Sequence, residues 1–128
     1  MDKIINLGAR ILLAQLFLVA GLQKIPNYAG TQGYMEAMGV PGALLPLVIA
    51  LEIGGALALL AGFQIRLAAW ALALFTIASA FLFHANFADQ IQSIMFLKNW
   101  AIAGGLLMIA AHGAPAWSLD RRLGRQTA

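Results

Sequence analysis

The sequence predicts an all-α integral membrane protein, a four-helix bundle with its N and C termini in the cytoplasm. Three observations lead there. Of 128 residues, 62% are hydrophobic and only 10% are charged, whereas a soluble domain keeps roughly a quarter of its residues charged. The apolar residues gather in four blocks, at about 4–23, 43–62, 67–84 and 94–112, each near the ~20 helical residues that cross a ~30 Å hydrocarbon core. The eight basic residues sit mostly at block ends. With four spans, Lys3, Arg10, Arg66, Arg121, Arg122 and Arg125 share the side of the termini, and only Lys24 and Lys98 lie opposite, so the termini are expected inside. Because the blocks leave little room for a soluble domain, residues 1–128 read as a single membrane domain.

The first block follows Lys3 in the manner of a secretion signal, yet Arg10 interrupts it and no small-residue cleavage site follows. The helix is expected to be retained. The connection at 25–42 carries Pro26, Asn27, Gly30, Gly33, Gly39, Pro41 and Gly42. Its middle, residues 33–38, reads either as a short interfacial helix with Tyr34, Met35 and Met38 toward the membrane or as irregular loop.

The second block starts near Ala43, since Pro46 is tolerated only in a first helical turn, and it ends at Gly62. A very short turn, 63–66, makes the second and third helices antiparallel neighbours. The third helix ends near His84. A polar segment, 86–93, leads to the fourth, which stops at Gly113 ahead of Pro115. Stripes of mostly small residues suggest the packing faces: Ala50, Gly54, Ala58 and Gly62 on the second helix, and Ala69, Ala73, Thr76, Ala80 and His84 on the third. On the fourth the corresponding stripe is Lys98, Ala101, Gly105 and Met108.

Glu52 is the only charge in the second block. It lies roughly 9–14 Å below the start of its helix at ~1.5 Å rise per residue. A carboxylate at that depth is costly unless it is protonated, paired, or facing a water-filled cavity. Lys98 and Lys24 approach it from the outer side and Arg10 from the inner side. Arg10 and Lys24, fourteen residues apart, share one face with Ala14, Phe17 and Gly21 between them. With His84 and Asn99 the expected polar core is Glu52, Lys98, Asn99, His84 and Lys24, with Arg10 below. Three uses of such a core stay open: ion pairs that set helix register, a small-ligand or quinone-headgroup site, and a proton or solute path.

Other chemistries are excluded by what is missing. There is no cysteine, hence no thiol redox pair or Cys-based metal site. The two histidines lie at opposite ends of the bundle and make no metal site. No phosphate-binding glycine loop, nucleophile elbow or zinc motif is present. The net charge of +3 is not arranged as a basic stripe with aromatics, so no nucleic-acid partner is expected.

In their order and spacing, ARILLAQLFLVAGLQKI, YMEAMGVP, LEIGGALALLAGFQIRLAAW, the FH pair at 83–84, FLKNWAIAGGLL and WSLDRR resemble the DoxX family of small bacterial membrane proteins. The resemblance implies four helices in the inner membrane, with Arg10, Lys24, Glu52, Lys98 and Asn99 as the polar signature. It also implies redox biology: a similar subunit belongs to a thiosulfate:quinone oxidoreductase, and others are said to organise membrane oxidoreductase complexes. The leading expectation is therefore a non-catalytic subunit or anchor of a membrane redox system. It would hold a quinone or small ligand in its polar core, with a soluble or membrane oxidoreductase as partner. The alternatives are a small-solute or proton-coupled permease component acting as a homo-oligomer, and an assembly factor whose charged core is purely structural.

Overall fold

The computed structural model describes residues 2–124; Arg125 and Ala128 lie outside the described residues. The chain forms α1 (Asp2–Lys24), α2 (Tyr28–Ala37), a 3-10 turn at Gly42–Leu44, α3 (Leu45–Ala61), α4 (Ile65–Phe83), α5 (Gln90–His112) and α6 (Leu119–Arg122). Helices α1, α4 and α5, and α3 together with its 3-10 turn, are long and apolar enough to cross a membrane.

Each boundary has a local cause. Pro46 sits in the first turn of α3, where its missing N–H breaks no helical bond. Gly62 ends that helix in the left-handed region (φ 71°), and a Cβ there would also press on the Arg10 guanidinium and Ser118. Helix α5 starts four residues earlier than the apolar block suggested. Asp89 caps it, its carboxylate accepting from the amides of Ile91 (2.9 Å) and Gln92 (3.4 Å), and Gln90, Gln92 and Ser93 are polar enough to stay helical at the membrane surface. Of the two readings of the 25–42 connection the helix is the one found, and it is longer than expected. Met35 points inward at 4% exposure, whereas Tyr34 and Met38 are largely exposed.

The outside of the bundle is as apolar as its inside. Leu12, Leu47, Leu97 and Met108 are each more than 65% exposed, a surface that only lipid solvates cheaply. Within, α1 buries Arg10, Ala14, Phe17 and Gly21, the expected stripe, at the alternating three- and four-residue spacing of a helix seam. Helix α4 buries Ala69, Ala73, Thr76 and Ala80, also as expected.

Two expected stripes face largely outward instead, with Gly62 their one buried member. On α3, Ala50 and Gly54 are exposed, and the buried line is Leu45, Glu52, Ala56 and Leu59. On α5, Lys98, Ala101 and Met108 are exposed, and the inner line is Ala103, Leu106, Ile109 and Ala110. The error has one cause. Where lipid and core are equally apolar, neither hydrophobicity nor side-chain size tells the inner face from the outer one.

Close approaches occur at other glycines. A Cβ on Gly21 would lie 2.7 Å from Ile53 Cγ1 and 3.2 Å from Glu52 Cβ, and one on Gly55 would lie 2.9 Å from Leu72. These glycines bring α1 against α3 and α3 against α4.

Candidate functional site

The Gly21 approach sets up the central feature. One turn beyond it on the same seam, Lys24 Nζ stands 2.7 Å from Glu52 Oε1. This is the one ion pair among the described residues. The Glu52 side chain is 5% exposed and that of Lys24 26%, so the lysine bridges from the membrane boundary down to a carboxylate halfway along α3. Lys24 also donates to the Ala20 carbonyl at 3.4 Å. The pair balances the charge of Glu52 without drawing the lysine into the core.

The pair lines a cavity of about 500 Å³ between α1, α2, α3, α4 and α5. Most of its wall is apolar, with Phe17, Met35, Phe75 and Phe83 among the larger groups. Polar groups come from Lys24, Glu52, Thr76, Ser79, His84 and Asn99. Helix α2 covers the end away from the chain termini, with Thr31, Tyr34 and Met35 lining the cavity and the Tyr34 ring stacked on Phe83 at 5.4 Å between centroids.

The polar groups are held in place from behind. Thr76 donates its hydroxyl to the Leu72 carbonyl (2.6 Å), and the Asn99 amide donates to the Thr76 carbonyl (3.2 Å). His84 Nδ1 lies 2.7 Å from Gln92 Oε1; the amide oxygen accepts, which leaves Nε2 as the acceptor in the neutral ring.

The expected polar core is thus divided. Lys24, Glu52, Asn99 and His84 share the cavity. Lys98 does not, because it is exposed on the outer face of α5 and absent from the cavity wall. Residue 98 is one step, about 100°, from Asn99 around the helix, and the rotation of α5 turns Asn99 toward the cavity and Lys98 away from it.

Arg10 belongs to a second cluster at the terminal end. Fully buried, it donates to the carbonyls of Leu59 (3.3 Å) and Trp117 (2.5 Å). The guanidinium therefore satisfies one carbonyl in the last turn of α3, where the helix dipole favours a cation, and through Trp117 ties down the segment after α5.

The reading of the sequence missed Asp120. Its carboxylate is fully buried and accepts from the amides of Gln64 (2.7 Å) and Ile65 (2.8 Å). Its own N–H donates to the Gly62 carbonyl (2.9 Å). A residue 55 positions away thereby supplies the N-terminal cap that α4 lacks locally. The available signal was that no Ser, Thr, Asp or Asn precedes Ile65.

Comparisons with known proteins place the chain in a family. The DoxX family profile matches residues 5–85, which takes in α1 to α4 with both members of the ion pair. The chain belongs to the DoxX family. It is 54% identical to inner membrane protein YqjF of Escherichia coli K12, over 98% of this chain and 99% of that protein. It is 33% identical to inner membrane protein YphA of the same strain, over 93% and 90% respectively. With four candidate spans and inner-membrane relatives, this DoxX protein is an inner-membrane protein. No solved structure matches it. The profile match stops before α5, so Lys98 and Asn99 lie beyond it.

Proposed function

We propose that this DoxX protein is a non-catalytic subunit of a membrane redox system, one that holds a quinone headgroup beside the Lys24–Glu52 pair. The observation that carries the reading is that the pair lines a mostly apolar cavity of about 500 Å³, within the ordinary size range of small-molecule sites, roughly 300–1,000 Å³. The residues fit such a headgroup. Aromatic walls from Phe17, Phe75 and Phe83 suit a planar ring, the Lys24 ammonium can donate to a carbonyl oxygen, and Glu52 or His84 can accept from a hydroxyl. Thr31, Tyr34 and Met35 of α2, which close the end away from the chain termini, would exclude bulk water from the ring.

Binding is favoured over passage by what lies below. Leu59, Leu72 and Leu106 are fully buried and close the terminal half of the bundle. A solute route would have to part that packing.

The test is to purify the protein from its own membranes in mild detergent and extract it for lipid-soluble cofactors by mass spectrometry. Quinone near one equivalent per chain, absent from a folded Glu52→Gln protein, is the expected result. A preparation that lacks quinone and shows no saturable uptake of added quinone rejects the ligand site. Co-purification of a soluble oxidoreductase would identify the redox partner.

A further inference from the structure

Two cations at the terminal end have no counter-ion among the described residues. The Arg66 guanidinium lies over Gly113, at the C-terminus of α5; a Cβ on that glycine would come 2.6 Å from the Arg66 terminal nitrogen. At the next residue, Arg121 donates one N–H to the Ala114 carbonyl (2.9 Å), one of the five that its guanidinium carries. The two groups thus converge on the consecutive residues Gly113 and Ala114. Arg66 Nε is buried and makes no hydrogen bond among the described residues.

The surrounding charged groups make no ion pair with them among the described residues. Arg10 is committed to the Leu59 and Trp117 carbonyls. Asp120 is fully buried with its carboxylate turned to the Gln64 and Ile65 amides. Arg122 is exposed, and its side chain makes no hydrogen bond or ion pair among the described residues. Apolar groups border the cluster: Leu67, next to Arg66, is 67% exposed, and Trp117 is 50% exposed. A site with free guanidinium donors above an apolar, lipid-facing rim matches the boundary where headgroup phosphates lie.

We propose that Arg66 and Arg121, at the Gly113–Ala114 turn, form a binding site for the phosphodiester of an anionic phospholipid, with an acyl chain running down past Leu67. The site is separate from the cavity and does not rest on the quinone reading. It fixes a lipid of the leaflet that faces the chain termini.

The experiment is native mass spectrometry of the protein released from nanodiscs of mixed phosphatidylglycerol and phosphatidylcholine. The wild type is compared with the Arg66→Gln/Arg121→Gln double variant and with Arg122→Gln. The double variant is expected to lose retained phosphatidylglycerol by roughly tenfold or more, with Arg122→Gln close to wild type. Equal losses in the two would show diffuse surface charge, and an unchanged double variant would show no contact; either overturns the site. Displacement of the lipid by millimolar inorganic phosphate would assign the site to a soluble anion and overturn the lipid source.

A second measurement needs neither arginine changed, in case the double variant does not fold. In a protein carrying Trp70→Phe and Trp100→Phe, Trp117 fluorescence should be quenched more strongly by brominated phosphatidylglycerol than by brominated phosphatidylcholine at equal mole fraction. Equal quenching would overturn the proposal.

Discussion

Lys24 meets Glu52 because Gly21 has no side chain. The ion pair at 2.7 Å is made one helical turn beyond the point where α1 and α3 come too close for a Cβ. Backbone approach and charge pairing are therefore one device, and the cavity wall depends on both.

Replacing Glu52 by Gln should lower thermal stability, because the Lys24 ammonium is left over an apolar cavity. The expected cost is about 1–3 kcal/mol, below the full value for a completely buried pair because Lys24 can reach the membrane boundary. Lys24→Met with Glu52→Leu should recover most of that loss and still abolish quinone retention. Thermal unfolding in detergent across the double-mutant cycle checks the coupling. A coupling near zero would mean that the pair has no energetic role.

The glycine argument makes a paired prediction. Gly21→Val should force α1 from α3, cost about 1–3 kcal/mol and empty the cavity of ligand. Gly54→Ala should be close to neutral, because a Cβ at Gly54 meets nothing within 4 Å. Melting temperatures of the two variants decide it, and the order must not reverse.

Asp120→Ala should free the start of α4 and release the C-terminal segment. Two amide donors lose their acceptor in a buried place, which costs about 2 kcal/mol or more. Limited proteolysis should then cut near residues 113–124 in the variant well before it cuts the wild type. Quinone retention should persist while the bundle stays folded, since the cavity lies at the opposite end.

Lys98→Gln should leave stability within about 0.5 kcal/mol and leave ligand retention unchanged, because the side chain faces outward. A large loss of ligand in a folded protein would return Lys98 to the site.

The expected topology is open to a direct check. Reporter domains fused after Ala128 and within residues 86–93 should report opposite sides of the membrane, the first cytoplasmic. Two fusions on one side would contradict a four-span arrangement.

Helix number, approximate ends and membrane setting were legible in the chain alone, because they depend on quantities summed along it. Twenty apolar residues have to span or be buried, Pro46 has to lie in a first turn, and Gly62 and Gly113 have to end helices. Glu52 was likewise conspicuous as a lone charge, and the Arg10–Lys24 face of α1 followed from helical spacing. The rotation of α3 and α5 about their axes did not follow. In water an exposed face advertises itself by polarity, but here Gly54 and Met108 on the outside are no more polar than Ala56 and Leu106 within. Tertiary packing therefore made the decisions that bear on function. It selected Lys24 from three cations as the partner of Glu52, turned Lys98 out and Asn99 in, gave Arg10 to the carbonyls of Leu59 and Trp117, and brought Asp120 back to cap α4. Each of these depends on distances between segments far apart in the chain, and such distances arise only when the helices have packed.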